Sequence, residues 1–204
     1  SSKHALLVVL NNVISDPRVR RQIDWLTDAG WTVDTLGLGE HPTPQVRDHF
    51  KIESAPQWAR STGGLAVIHG LMPVRARFKT LYQNQFPATA GQRVAAGDYD
   101  LVVFNDIQLL PWLDEPSAFG RVPSKIHVHL DIHEWFDPDV PHNTRGRALI
   151  RPYYRYTRNL IASPKITSRS LAADAVDLYT SEFHIPAPPV VRNAPPFVDQ
   201  KPSA

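Results

Sequence analysis

The run Ala5-Leu6-Leu7-Val8-Val9-Leu10, unbroken in apolar residues and followed shortly by Asp16-Pro17, does most to constrain how this chain can fold. A strand with apolar side chains on both sides must be buried on both faces, which is the condition of a parallel sheet with layers above and below it. Asp16 is a strong N-cap residue, and Pro17 suits the first position of a helix. Val19, Ile23 and Leu26 then recur at helical spacing, and Gly30 can end the helix in a left-handed conformation. Thr32 to Leu38 reads as a second strand. Strand, helix and strand within about 35 residues is the size of one right-handed βαβ unit.

The alternation continues along the chain. A short strand is expected over His49–Glu53, and Pro73–Ala96 should be largely helical with a break at Pro87. Asp100–Phe104 and Lys125–Leu130 read as strands, Ala148–Ala162 as a helix and Lys165–Ser168 as a short strand. A helix over Leu171–Phe183 and a last strand over Pro189–Arg192 complete the pattern. The expected class is α/β, a Rossmann-like doubly wound, mostly parallel sheet with helices on both faces. Residues 1–193 make up this domain, and the proline-rich, aperiodic segment 194–204 reads as a linker or disordered tail.

Composition narrows the function. With 204 residues and a net charge of +2, the chain can build one sizeable core but lacks the charge excess that would point to nucleic acid. It has no cysteine, which excludes disulfides and thiolate metal sites. No apolar run reaches the ~18–20 residues that span a bilayer. A cytoplasmic location is the expectation, with peripheral contact at the inner face of a membrane left open.

In open α/β sheets, ligands bind outside the carboxyl ends of the strands. Four polar segments fall there: NNVISDPR, NDIQ, DIHEWFDPD and NAPP. Arg18, Arg20 and Arg21 lie in the first turns of a helix, where the helix dipole disfavours cations. They imply either an anionic ligand or pairing with Asp16 or Asp24. In HVHLDIHE the residues His127, His129, Asp131 and His133 alternate, so an extended chain puts them on one face. Successive members of such a face stand about 7 Å apart, too far to chelate one ion unaided. His127 and His129 therefore read as hydrogen-bonded structural groups, and Asp131, His133 and Glu134 as the functional end. Asp137-Pro138-Asp139 has the form of a metal-binding DxD, but it is also ordinary turn material. Gly37-Leu38-Gly39 begins like a dinucleotide fingerprint but lacks its third glycine and its helix. Arg151, Arg155 and Arg158 share a helical face with three tyrosines nearby, which suits either an anionic membrane surface or plain solvation.

Taken together, SDPRVRRQIDWLTDAGWTVDTLGLG, YDLVVFND, HLDIHEWFDPD and KITSRSLAADAVDLYTSEFHIPAPPVVRNAPP resemble, in that order, the N-terminal domain of retaining GT-B glycosyltransferases of the family 4 (group 1) type. The resemblance implies the acceptor-side half of an enzyme that transfers a sugar from a nucleotide-sugar donor to a glycan or lipid-linked cell-envelope acceptor. It implies His133 and Asp131 at the transferred sugar, and Asn12, Asp16, Arg18, Asn105, Asp106 and Glu134 lining the acceptor side. It implies no metal and no cofactor beyond the donor, which would bind a C-terminal domain supplied in cis or in trans. Asn193 and Pro195 match the turn leading to that domain. The chain departs from the family at the loop after its first strand, where Asn11-Asn12-Val13 stands in place of glycines. Two other readings stay open: a non-catalytic carbohydrate- or anion-binding module, and a metal-dependent enzyme using HVHLDIHE or Asp137 and Asp139.

Overall fold

The computed structural model describes residues 2–81, 85–105, 107–114, 122–132, 151–152, 155–171 and 176–191. Six parallel strands form one sheet in the order β3-β2-β1-β4-β5-β6. They are β1 (His4–Asn12), β2 (Thr32–Leu38), β3 (Val46–Lys51), β4 (Leu101–Phe104), β5 (His127–Ile132) and β6 (Ser168–Leu171). The helices are α1 (Pro17–Asp28), α2 (Gln57–Arg60), α3 (Thr62–Leu71), α4 (Val74–Leu81), α5 (Ala88–Ala96), α6 (Pro111–Asp114) and α7 (Val176–Phe183). The sheet is thus the Rossmann-like one the alternation predicts, with β1 at its centre.

The two faces of β1 belong to two cores. Leu7 and Val9 join Val19 and Ile23 of α1, together with Val33, Val46 and Val103. Leu6 and Val8 face the larger core, with Leu36, Phe78, Val94, Val102, Trp112, Leu130 and Tyr179. Helix α1 opens as its sequence predicts: the Asp16 side chain accepts from the amides of Arg18 and Val19, and Pro17 follows. Gly30 stands just beyond the C-cap at φ 81°, the left-handed value that glycine tolerates best. A helical break falls at Pro87, which precedes α5.

Several expectations shift. Leu171, expected to open the helix Leu171–Phe183, belongs to β6, and the helix is described from Val176. The third strand begins earlier, at Val46, because its pairing is fixed by β2 and by polar groups rather than by apolar pattern. The sixth strand lies at Ser168–Leu171 instead of Lys165–Ser168. Its serines face polar partners, so the apolar run that suggests a strand is missing there. The strand expected over Pro189–Arg192 is reduced, among the described residues, to one parallel bridge from Leu171 to Val190. Pro186, Pro188 and Pro189 have no N–H to give a ladder. Helices α2 and α3 have no counterpart in the sequence reading: α2 is a single four-residue turn, and Gly63, Gly64 and Gly70 lower the helical propensity of α3.

One buried carboxylate ties the β3 side of the sheet together. Asp34 on β2 is fully buried. Its oxygens accept from Arg47 Nε (2.9 Å) and Nη2 (2.6 Å), from Arg93 Nη1 (3.2 Å), from the Tyr99 hydroxyl (2.7 Å) and from the amide of Asp48 (3.2 Å). Strand β2, strand β3, helix α5 and the segment leading into β4 therefore meet at one group. Burial, and then the Asp34 carboxylate, push the Tyr99 phenol well above its usual range, so it remains a donor. Removing the carboxylate strands a buried hydroxyl and an amide without acceptors. Asp34→Ala is expected to cost about 3 kcal/mol in equilibrium urea unfolding. Asp48→Ala, at a half-exposed partner of Arg93, is expected to cost less than about 1 kcal/mol.

Candidate functional site

Two groups of polar side chains gather at the carboxyl ends of the strands. The first follows β1. Asn12 Oδ1 accepts from the amide of Ile14 (3.0 Å). Gly39, at φ 91°, leaves the space this side chain fills, since a Cβ there would come within 2.6 Å of Asn12 Oδ1. Asp16 is buried at the start of α1 and receives Arg18 Nη2 (3.2 Å) and Nε (3.3 Å), Asn11 Nδ2 (3.3 Å) and the Arg18 amide (3.0 Å). Burial raises the Asp16 carboxyl, but the hydrogen bonds from Arg18 and Asn11 outweigh it and hold the group below its usual value. In dinucleotide enzymes of this strand order, a pyrophosphate sits on the N-terminus of this helix. Here a carboxylate occupies that position and Arg18 is engaged with it. The cation that the sequence leaves to either a ligand or a carboxylate is paired with the carboxylate.

The second group crosses β4, β5 and β6 on the side of the sheet that faces α1. Register pairs His129 with Ser168 and Asp131 with Ser170. His127 Nε2 lies 2.6 Å from Ser168 Oγ, and Ser168 Oγ lies 2.7 Å from His129 Nδ1. His129 Nε2 is 2.9 Å from Ser170 Oγ, which donates to Asp131 Oδ1 at 2.6 Å. Gln22 Nε2, from α1, then bridges Asp131 Oδ2 (2.9 Å) and Asn105 Oδ1 (2.8 Å). Because Ser170 gives its proton to Asp131, it must accept from His129 Nε2–H. His129 Nδ1 then accepts from Ser168, and Ser168 accepts from His127 Nε2–H. All the donors therefore run one way, from exposed His127 to buried Asp131, and this order requires neutral His129. Burial lowers the His129 pKa, and His127 nearby lowers it further against the opposing pull of Asp131.

The chain ends in unmet polar capacity. Among the described residues, Asn105 Nδ2 and Gln22 Oε1 are buried with no hydrogen-bond partner. Such groups are rare in packed interiors and tend to mark sites of function. Asp131 and Asn105 are thus brought together, while Asn12, Asp16 and Arg18 form a separate group one strand away at the end of β1. His133, Glu134, Asp106, Asn193 and the Asp137–Asp139 sequence lie outside the described residues. Gln22 and Ser170 are ordinary surface residue types and give no sign of a site in the sequence, whereas Ser168, which reads there as the end of a short strand at the crevice, instead begins β6. For the two serines, the alternation of polar residues in SRSL against that in HVHLDI is the available signal. Among the described residues, no group of three or more His, Asp or Glu side chains could hold a metal ion. Arg158 is buried, bonded to Glu182 (3.0 Å) and set over the Phe183 ring, so it is not part of an open basic face with Arg155. No described helix is long and apolar enough to cross a membrane.

No family model and no curated protein matches the sequence. Among solved structures, the chain is similar to MoeE5 in complex with UDP-glucose and NAD, at 10% identity over 92% of this chain and 85% of that one, with a TM-score of 0.27. A score that low carries no functional weight.

The polar chain predicts a pH dependence. A histidine whose pKa is lowered by folding binds fewer protons in the native state than in the unfolded state. Its contribution is present above the unfolded value near 6.5 and is lost as pH falls below it. His49, bonded to Thr35 and to the Gly39 carbonyl and lowered mainly by burial, acts in the same direction. Unfolding free energy should therefore fall between about pH 7 and pH 5, and His129→Gln should flatten that slope in denaturant titrations.

Proposed function

We propose that this domain is the acceptor-side half of a GT-B glycosyltransferase, placing a sugar-bearing or lipid-linked acceptor at the carboxyl ends of β1, β4 and β5. One observation carries the reading. The carboxylate of Asp131 is held from two sides, by Gln22 and Ser170, at the strand ends where α/β sheets bind ligands, next to carboxamide atoms that no described residue pairs. A carboxylate so fixed, with primary amides beside it, suits the hydroxyls of a sugar, which both donate and accept. The Asp16 plug at α1 directs the nucleotide elsewhere, in keeping with a donor carried by a second, C-terminal domain in cis or in trans.

In this reading Asp131 and His133 face the transferred sugar, and Asn12, Asn105, Asp106 and Glu134 contact the acceptor. Asp16 and Arg18 shape the loop after β1. Gln22 is a positioning residue, which fixes the rotamers of Asp131 and Asn105 at once. The transfer itself requires charge stabilisation on the departing nucleotide by the donor half.

The test is a transfer assay with UDP- and GDP-sugars, using this chain together with its donor-binding half. Asn105→Ala and Gln22→Ala should each lower kcat/KM on the order of 10- to 100-fold, as expected when a positioned group is displaced. The melting transition should move only a few degrees. Absence of transfer from every nucleotide sugar, or full activity in both variants, would sink the reading.

A further inference from the structure

A second concave site lies at the opposite edge of the sheet. Beyond the end of β3, a cleft of about 750 Å³ is lined by Lys51, Glu53, Trp58, Thr80, Gln85 and Phe86, among others. Its walls are held to each other and to the core behind them. The amide of Glu53 donates to the Gln85 carbonyl (3.2 Å), and Phe86 packs edge-on against buried Trp112 with ring centroids 4.2 Å apart. Lys51 is paired with Glu40 at 2.6 Å, which satisfies its charge without the help of a ligand.

Two features of this cleft bear on a ligand. Trp58 lines it from α2 and stands 52% exposed, a large ring with an apolar face and a polar N–H of the kind enriched at interfaces. Gln85 gives Nε2 to the Thr80 carbonyl (3.1 Å), and among the described residues its buried Oε1 has no donor. Gln85 lines the cleft, and the broad terminal torsion of a glutamine lets its amide turn toward a hydroxyl there. A flat aromatic face, a carboxylate, an amide acceptor and a threonine hydroxyl in one open cleft complement a neutral sugar. The ring covers the apolar C–H face of the sugar, and the polar groups take its hydroxyls.

The position of the cleft adds a length. In the strand order β3-β2-β1-β4-β5, the end of β3 stands three spacings from β4 and four from β5. At about 4.8 Å per strand this is roughly 14–19 Å, more than one sugar ring covers. We infer that the Trp58 cleft is a saccharide subsite remote from Asp131 and Asn105, and that the acceptor is an extended glycan reaching from one to the other. This inference rests on the acceptor-domain reading above. It adds the substrate class: an oligosaccharide recognised several units away from the reacting end.

Calorimetric titration of the chain with gluco-, manno- and galacto-oligosaccharides of one to five units tests it. One series should bind with affinity that rises with length. Trp58→Ala should remove that rise and weaken the longest member roughly tenfold, the loss expected for one or two contacts. Glu53→Gln, at an exposed position, should weaken it in the same direction without loss of fold. Absence of binding by every series, equal affinity for one and five units, or a length gain that survives Trp58→Ala each overturns the subsite. The apolar side chains of Val67 and Leu71 are exposed on nearby α3. Binding to phosphatidylglycerol vesicles that depends on Trp58, without any oligosaccharide gain, would therefore assign this face to a lipid surface and overturn the subsite. The two readings fail separately. A transferase whose acceptor KM ignores Trp58→Ala loses the subsite and keeps the function. A chain that binds oligosaccharides through Trp58 but completes no transfer in its full assembly loses the function and keeps the subsite.

Discussion

The burial of β1 on both faces is the constraint from which the other features follow. Leu6 and Val8 are committed to one core, and Leu7 and Val9 to the other. Water is excluded from both sides, so every backbone group of the strand must find a partner in β2 or β4. A central strand of this kind needs a parallel neighbour on each edge and a helical layer on each face. The first crossover, α1, covers the smaller core and so brings Gln22 over the ends of β4 and β5. The polar site is therefore a consequence of where the first helix has to lie.

The sheet is asymmetric in what it places on its two flanks. Towards β3, cohesion comes from a carboxylate with several cationic and neutral donors around it, centred on Asp34. Towards β6, polar residues replace apolar ones on the face shared with α1, and histidines alternate with serines across two strands. The first arrangement is a closed set in which each oxygen of Asp34 is satisfied. The second is ordered from His127 to Asp131 but ends in amide atoms that nothing in the described structure completes. That contrast separates a structural network from a candidate site more clearly than burial or charge does.

The sequence exposed the strands whose pattern comes from packing and obscured those whose pattern comes from pairing. Thr32–Leu38 is buried along most of its length and reads correctly to the residue. Ser168–Leu171 carries two serines toward β5, and its apolar signal is displaced onto neighbouring Ile166. The site follows the same rule. The alternation in HVHLDI was legible as one face of a strand, and Asp131 could be named from it. Gln22 could not, since a glutamine on a helix declares itself only when the helix is seen to cross another strand. The Trp58 cleft was hidden for a further reason: its walls come from two separate stretches, residues 51–58 and 80–87, which only the fold brings together.

The carboxylate at the head of α1 has a consequence for selectivity. Sheets with this strand order commonly meet their ligands through phosphate, a group that many metabolites share and that gives affinity with little discrimination. By filling that position with Asp16 and tying Arg18 to it, this domain gives up the most general of handles. Among the described residues, what remains at the strand ends is hydroxyl chemistry, amides and a fixed carboxylate, which discriminate by stereochemistry more than by charge. In the reading proposed above, such a site would sort its ligands by the arrangement of their hydroxyls, and the head of α1 would offer a phosphate ester no free amides to sit on.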